Sequence, residues 1–192
     1  MKIGIDFDNT IVCYDTLFYE AAIKRKLIPA SVSPLKNGIR NFLRSVGQEE
    51  EWTKLQGYVY GPGLDLALPY PSVDAFFALC KEKRIPTFII SHKTRFPFLG
   101  PQYDLHASAK SWLAKQHFNE ITSAFFEETL QDKLQRIREQ QCDLFIDDLP
   151  ELLKEKSFPS HVQKVLFDPY GHHPEKGDYL YAKSWDDIIQ IL

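Results

Sequence analysis

Long apolar runs are missing from this sequence of 192 residues. A helix needs about 20 consecutive apolar residues to cross a bilayer, so we expect no membrane-spanning segment. An acidic side chain appears as early as Asp6, which leaves no room for the apolar core of a secretory signal. Internal repeats and low-complexity stretches are absent as well. Since a domain has roughly 150 residues, we expect one core with an insertion.

Cysteines are few, and the charges nearly balance. Cys13, Cys80 and Cys142 are odd in number and lack the spacing of metal ligands, so we predict thiols in a reducing cytoplasm. A formal net charge of −3 argues against a nucleic-acid-binding surface. Aromatic residues are plentiful, at 14% of the chain. That much ring surface can fill a sizeable core, which excludes a disordered chain.

Short apolar segments alternate with helix-like segments along most of the chain. This alternation predicts an α/β fold, a Rossmann-like parallel sheet with helices on both faces. The predicted strands are residues 2–7, 86–91, 120–126, 143–147 and 162–167. The predicted core helices are residues 72–84, 105–117, 132–140 and 184–192.

Residues 13–69 interrupt this rhythm between the first strand and the first core helix. A structureless connection of that length is uncommon, so we predict a small α-helical insertion. Its helix-like stretches are residues 15–26, 34–46 and 48–55. The predicted organisation is therefore a core of residues 1–12 and 70–192, with an insertion at 13–69. Because ligands bind at strand ends in open α/β sheets, this insertion is expected to cover a ligand.

Polar side chains fall where predicted strands end or helices begin. They are Asp6, Asp8 and Thr10 after the first strand, Ser91 at the end of the second, Lys133 at a helix start, and Asp147-Asp148 after the fourth strand. In a parallel sheet these groups gather at one edge. Two carboxylates ~4 Å apart repel by about 4 kcal/mol at an effective dielectric of 20. A hard divalent cation offsets such repulsion, and Mg²⁺ suits carboxylates, waters and a phosphate.

This ordered set resembles the haloacid dehalogenase (HAD) superfamily of phosphotransferases over residues 1–12 and about 70–192. The resemblance implies that Asp6 is a nucleophile forming an aspartyl-phosphate, and that Asp8 is the general acid and base. It also implies a role for the remaining members of the set. Ser91 would hold phosphate oxygens, Lys133 would neutralise phosphate and Asp6 charge, and Thr10 would orient the loop. The implied Mg²⁺ ligands are Asp6, the Asp8 backbone carbonyl, Asp148, and Asp147 directly or through water.

Three positions refine the resemblance. Dehalogenating relatives lack an acid at the place of Asp8, so this residue favours phosphoester chemistry. Asn9 replaces the commonest glycine, and asparagine tolerates the unusual backbone angles of such a turn. Lys110 and Lys115 are alternatives to Lys133, but both fall within a helix whose polar face would carry lysine.

The family places a lid, the type C1 cap, at the insertion, and such lids choose the substrate. His92 and Lys93 are expected to contact substrate, because loops at strand ends carry function. Arg25, Arg40 and Arg44 are interpreted as solvated charge, with a second anionic group of the substrate as the alternative. His172 and His173 are interpreted as a solvated loop rather than a zinc site. Asp168 would support the metal or cap a turn.

The resemblance implies a Mg²⁺-dependent phosphatase in the cytoplasm. Its partner would be a small phosphorylated metabolite, a sugar phosphate or a nucleoside monophosphate, and the protein would be a monomer or a small homo-oligomer. A phosphomutase shares the whole constellation and is the alternative. A phosphorylatable receiver domain is disfavoured, because there the paired acids come early and the lysine late. A silent binding module is disfavoured because every catalytic group is present.

Overall fold

The structure is a computed structural model that describes residues 1–116, 118, 121–173 and 176–192. It contains the strands β1 Ile3–Ile5, β2 Val12–Cys13, β3 Leu68–Pro69, β4 Thr87–His92, β5 Ile121–Glu127, β6 Leu144–Asp147, β7 Gln163–Phe167 and β8 Leu180–Ala182. The α-helices are α1 Asp15–Lys24, α2 Lys36–Ser45, α3 Glu49–Tyr60, α4 Val73–Glu82, α5 Leu105–Lys115, α6 Leu130–Glu139, α7 Pro150–Leu153 and α8 Trp185–Ile191. No helix in these ranges is long and apolar enough to span a membrane.

The chain folds into two compact units. The first consists of Met1–Val12, Pro69–Lys93 and Gln116–Leu192, and the second of Cys13–Leu68 and Thr94–Lys115. The first unit contains a sheet of six strands in the order β5-β4-β1-β6-β7-β8. Every pairing in this sheet is parallel. The predicted α/β fold with a parallel sheet is therefore confirmed.

Helices cover both faces of this sheet, as the parallel pairing requires. On one face, Leu134 and Ile137 of α6 pack in a buried cluster with Phe145 of β6. On the other, the Trp185 ring of α8 lies 5.9 Å from the Phe167 ring of β7. Gly4 in β1 admits this packing, since a Cβ there would come within 2.5 Å of the Phe145 ring.

The strand register brings the ends of β1, β4 and β6 to one edge of the sheet. Ile5 pairs with Ile89 on one side and with Ile146 on the other. The amide of Asp6 then donates to the Ile146 carbonyl at 2.9 Å. Each strand runs into polar residues at the same level, and these residues form the candidate site.

The five predicted strands and four predicted core helices are all present, with ends shifted by one to a few residues. His117 at the end of one predicted helix and Glu120 at the start of one predicted strand lie outside the described residues. The sixth strand of the sheet, β8, was not predicted. It has three residues, of which only Ala182 is buried, so it is too short to show a hydrophobic period.

The second unit has an aromatic core. Phe18 of α1 stacks on Trp52 of α3 at 5.0 Å and meets Tyr60 edge-on at 5.7 Å. The sequence analysis assigned residues 94–115 to the sheet-containing core, but they cluster with this unit. The reason is Trp112 of α5, which is buried and donates to the Ala67 carbonyl at 2.9 Å. That residues 13–69 act as a lid stays a prediction.

Candidate active site

The loop after β1 is fixed by its backbone. The Phe7 carbonyl accepts the amides of Ile11 and Val12, both at 3.1 Å. Asn9 has a positive φ of 59°, a conformation that asparagine adopts more readily than most residues. The buried indole of Trp185 donates to the Thr10 carbonyl at 3.0 Å. This turn sets the direction in which the Asp6 and Asp8 side chains leave the strand.

Lys133 is buried between two of the predicted acidic residues. Its Nζ lies 2.6 Å from Oδ1 of Asp6 and 2.6 Å from Oδ2 of Asp147. The helix that carries Lys133, α6, is capped at its N-terminus, where the Thr129 side chain accepts a hydrogen bond from the Asp132 amide. Of the two alternative lysines, Lys115 pairs with Asp65 in the second unit.

Three carboxylates meet beside this lysine. One oxygen each of Asp6, Asp147 and Asp148 can be chosen so that all lie within 4.8 Å of one another. Asp6 and Asp147 are buried, and Asp148 is partly exposed. The second oxygen of Asp147 accepts the Leu149 amide at 2.9 Å. The cluster is therefore held in place from two sides, by a lysine and by the backbone that follows β6.

The electrostatics of the cluster follow from burial and crowding. Burial raises the pKa of Asp6 to about 6; Lys133 opposes this shift, and Asp147 and Asp8 add to it. Burial alone would lower the pKa of Lys133, but the charges of Asp147 and Asp6 outweigh it and hold that pKa above its usual value. The raised pKa values of Asp6 and Lys133 both indicate a site with more negative than positive charge, which favours the binding of a cation.

The donor set fits Mg²⁺. All three ligands are carboxylate oxygens, which hard divalent cations prefer. Asp6, Asp8, Asp147 and Asp148 bring four negative charges when ionised, and Lys93 and Lys133 bring two positive ones. One divalent cation would make the group neutral. Among the described residues the Asp8 carboxylate is not a member of the ligand cluster, and a role for its backbone carbonyl stays a prediction.

Two buried hydroxyls have no hydrogen-bond partners in the described part of the chain. They are Oγ of Ser91, at the end of β4, and Oγ1 of Thr10. Ser91 is 1% exposed. A buried hydroxyl that makes no hydrogen bond costs about 1–3 kcal/mol, so both atoms are donors available to a bound group.

The two residues after Ser91 have separate environments. Lys93 is buried, and its Nζ contacts the Asp8 carboxylate oxygens at 2.9 and 2.8 Å. His92 is exposed, and its Nε2 lies 3.2 Å from the Glu128 carbonyl. Sequence reasoning missed the contact between Lys93 and Asp8. The alternation of side chains along a strand was the available signal, since it puts Lys93 on the side of Ser91 and His92 on the opposite side.

Asp168, which follows β7, anchors a loop. Its carboxylate accepts the amides of His172 and His173 at 3.0 and 2.8 Å and the Tyr181 hydroxyl at 2.9 Å. Of the two predicted roles for Asp168, this geometry is that of turn capping. Asp168 is not a member of the acidic cluster.

Comparison with known proteins identifies the fold. No protein-family model matches the sequence, and no curated protein matches it. Solved structures do match over nearly the whole chain. A predicted phosphoglycolate phosphatase from Haemophilus somnus has 14% identity and a TM-score of 0.58, with 99% of this chain and 96% of that chain covered. The L-2-haloacid dehalogenase RSc1362 has 10% identity and a TM-score of 0.65, with 99% and 97% covered.

A third structure, of the HAD hydrolase YfnB from Bacillus subtilis bound to magnesium, has 11% identity and a TM-score of 0.61. The match covers 100% of this chain and 97% of the YfnB chain. At these identities the similarity concerns the fold alone. The chain thus has the fold of the HAD-superfamily hydrolases, as its motifs predicted, and that fold is shared by phosphatases and dehalogenases.

Proposed function

We propose that this protein is a Mg²⁺-dependent phosphatase that hydrolyses a small phosphomonoester, a sugar phosphate or a nucleoside monophosphate, through an aspartyl-phosphate on Asp6. The observation that carries the proposal is the buried Asp6 carboxylate. It lies against Lys133 and clusters with Asp147 and Asp148, while a second acid, Asp8, follows two positions later.

In this proposal Asp6, Asp148 and the Asp8 backbone carbonyl would hold the Mg²⁺ ion, with Asp147 acting directly or through water. A bound magnesium ion would supply positive charge next to the phosphate oxygens and lower the repulsion between substrate and nucleophile. The magnesium-bound YfnB structure supports this assignment for the fold. Asp147 already accepts from Lys133 and from the Leu149 amide, which favours its acting through water.

Asp6 attacks the phosphorus atom of the substrate. A carboxylate oxygen of Asp6 forms a bond to phosphorus as the ester P–O bond breaks, and Asp8 gives its proton to the departing oxygen. A water molecule then attacks the phosphorus of the aspartyl-phosphate and gives its proton to Asp8. The Asp6–phosphorus bond breaks, which regenerates both carboxyl groups and releases inorganic phosphate.

The groups around Asp6 have supporting roles in this scheme. Lys133, which touches Oδ1 of Asp6 at 2.6 Å, keeps the nucleophile oriented and adds positive charge near the phosphate. The Ser91 hydroxyl, which has no hydrogen-bond partner among the residues that the structure describes, donates to a phosphate oxygen. Thr10 orients the loop, and His92 and Lys93 remain proposed substrate contacts. The lid role of residues 13–69 and a cytoplasmic location belong to the same proposal.

Asp8 favours a phosphatase over a dehalogenase. A haloacid dehalogenase does not need a group that protonates an ester oxygen, and the family resemblance associates an acid at this position with phosphoester chemistry. In this chain the position is occupied by aspartate, whose carboxylate faces Lys93. Because dehalogenases are among the similar structures, halide release is the competing activity to be tested.

The test is a release assay on purified protein with Mg²⁺. We expect phosphate from p-nitrophenyl phosphate and from some members of a panel of sugar phosphates and nucleoside monophosphates, and no halide from haloacids. EDTA and the Asp6→Asn variant should each abolish release while the circular dichroism spectrum stays unchanged. Halide without phosphate would establish a dehalogenase, and phosphate transfer within a sugar without net release a mutase. Full activity in Asp6→Asn would contradict the assignment of the nucleophile.

A further inference from the structure

A cavity of about 610 Å³ lies beside the beginning of β7. It is lined by residues between 154 and 164, which lead from α7 into β7, and between 177 and 180, which lead into β8. All of them belong to the first unit, so the cavity is a feature of that unit alone. Cavities that bind small molecules commonly have volumes of about 300–1,000 Å³. This cavity is therefore large enough for a small ligand.

The cavity is separate from the acidic cluster of the candidate active site. Gln163 and Lys164, the first two residues of β7, line the cavity. Asp147 is the last residue of β6 and pairs with Leu166 of β7. Because a strand rises about 3.3 Å per residue, the levels of Gln163 and Asp147 in the sheet differ by about 10 Å. A ligand bound in the cavity therefore occupies a second site, apart from that of the proposed phosphoester.

Part of the cavity surface is apolar. Phe158 and Val162 line it and are only 6% and 4% exposed, so they form its inner surface. Leu180, which is 38% exposed, and the partly exposed Tyr179 also line it. Removing such apolar surface from water is favourable, so the cavity suits a ligand with an apolar body.

Lysines are the cations of the same cavity, and they are Lys154, Lys156 and Lys164. The Nζ of Lys154 lies 5.9 Å from the centre of the Tyr179 ring, and that of Lys164 lies 5.2 Å from the centre of the Phe158 ring. Among the residues that the structure describes, Lys154 and Lys156 have no acidic partner. Only two acids line the cavity against these three lysines, although the whole chain has a formal net charge of −3. This local excess of positive charge favours an anion.

Asp178 marks the place of an oxyanion in the cavity. Its Oδ2 lies 2.8 Å from the Nζ of Lys164, whose side chain is only 14% exposed. The Asp178 side chain is 93% exposed, so it reaches Lys164 from the solvent. An ion pair with such an exposed partner contributes little to stability. The oxyanion of a ligand can therefore replace the carboxylate of Asp178 at a small cost.

We propose that the cavity binds a small anion with an apolar body. The oxyanion group of this ligand takes the place of the Asp178 carboxylate at Lys164, and its body covers Phe158, Val162 and Leu180. An ammonium group binds an oxyanion as a point charge and not through the planar fork of a guanidinium. The ligand chemistry that the site fits is thus a single carboxylate or phosphate group joined to a hydrocarbon chain or ring. This proposal does not rest on the proposed phosphatase activity.

Calorimetric titration of the full chain, with Mg²⁺ present, tests the proposal with four compounds. Octanoate and octane-1-sulfonate each carry an oxyanion on an apolar chain, and the sulfonate replaces a phosphate ester because it cannot be hydrolysed. Acetate lacks the apolar chain, and 1-octanol lacks the charge. We expect saturable binding of one molecule of an octyl anion, with acetate and 1-octanol bound at least about 10-fold more weakly. The tighter of the two octyl anions identifies the oxyanion group. Equal binding of acetate or of 1-octanol would overturn the proposal, as would no binding of either octyl anion.

Two variants should move the affinity for the bound octyl anion in opposite directions. Lys164→Met removes the ammonium group but keeps an apolar side chain of similar length, and it should weaken binding roughly 10-fold. Asp178→Asn removes the carboxylate that the ligand must displace, and it should strengthen binding by up to about fivefold. Lys83→Met is the control, because Lys83 is exposed in the same unit and does not line the cavity. Native affinity in Lys164→Met, or a failure of Asp178→Asn to strengthen binding, would overturn the assigned position of the anion.

An NMR titration of the native protein locates the ligand without any substitution. The backbone amide signals of Val162, Lys164 and Leu180 should shift with the octyl anion, while those of Asp6 and Asp148 stay in place. Shifts confined to Asp6 and Asp148 would place the anion at the acidic cluster and overturn the proposal. The phosphatase proposal fails or survives separately, since Lys164→Met should release phosphate at the native rate.

Discussion

Lys93 contacts both carboxylate oxygens of Asp8, at 2.9 and 2.8 Å. The Lys93 side chain is 3% exposed and the Asp8 side chain 19%, so the pair is poorly solvated. The two residues are far apart in sequence, but Asp8 lies in the loop after β1 and Lys93 directly follows β4, and these two strands are neighbours in the sheet. The proposed acid and base of the reaction is thus held by a lysine outside the set of polar residues that carries the HAD resemblance.

Replacing Lys93 by methionine should lower kcat, and KM should change little if Lys93 acts only through Asp8. The reason is that Asp8 would lose the contact that orients it, and a general acid and base contributes about 10²–10⁴-fold to the rate. We expect a loss of roughly 10- to 100-fold, because Asp8 itself remains. Lys93→Arg should recover part of the loss, since it keeps the charge.

The same kinetics separate two roles for Lys93. If Lys93 contacts substrate directly, as the sequence predicted, Lys93→Met should raise KM as well. Native values of both constants in Lys93→Met would contradict either role. The assay is steady-state phosphate release, with circular dichroism to show that the variant is folded.

Lys133→Met should reduce both activity and stability far more than Lys115→Met. Lys133 is 2% exposed and joins Asp6 to Asp147, and removing one partner of a buried ion pair costs about 3–5 kcal/mol. Lys115 is 56% exposed and pairs with Asp65 on the surface, where a pair contributes about 0–1 kcal/mol. Urea unfolding gives the two free energies of unfolding, and phosphate release gives the rates. A larger effect in Lys115→Met would contradict the assignment of Lys133 to the site.

The sequence predicted the parts of this site that depend on strand ends. Asp6, Ser91 and Asp147 each close a short apolar run, and parallel strands bring such ends to one edge. The contact between Lys133 and Asp6 followed from the HAD resemblance. What the sequence could not show depends on the packing of side chains from distant segments. The pairing of Asp8 with Lys93, which are 85 positions apart, is one case.

The assignment of α5 to the second unit is another case of the same kind. It depends on the indole of Trp112 reaching the Ala67 carbonyl, 45 positions away. A helical period along 105–115 says which side of α5 is apolar, but not which unit that side packs against. The Nε of Arg40 is buried and has no hydrogen-bond partner among the described residues. This is equally invisible in a sequence, because a row of lysine and arginine on a helix is ordinarily a solvated face.

Magnesium should stabilise the folded protein if the acidic cluster binds it. A ligand present at 100 times its dissociation constant adds about 2.7 kcal/mol to the free energy of unfolding, which for a chain of this size raises Tm by about 5–10 °C. The shift should be lost in Asp148→Asn, since Asp148 is a member of the cluster. Asp178→Asn is the control, because Asp178 is 93% exposed and pairs with Lys164 on the surface, and it is not a member of the acidic cluster found among the described residues. An equal shift in Asp148→Asn would place the metal elsewhere.

Asp168 should contribute to stability at neutral pH and lose that contribution in acid. Burial would raise the pKa of Asp168, but the amides of His172 and His173 and the Tyr181 hydroxyl donate to its carboxylate and hold the pKa below its usual value. A lowered folded-state pKa gives stability that is present above the unfolded pKa of about 3.9 and is lost as the pH falls through the folded value. Asp168→Asn removes the negative charge and replaces one of the two accepting oxygens by an NH2 group, so we expect a loss of about 1–3 kcal/mol at neutral pH. Urea unfolding between about pH 7 and pH 3 should show the free energies of unfolding of the native protein and of the variant converging at the acid end.

Tyr181→Phe removes one of the three groups that donate to Asp168. It should lower the free energy of unfolding by a smaller amount, with the same dependence on pH. A constant difference between the native and Asp168→Asn curves over the whole range would show that the carboxylate charge is not what stabilises the loop.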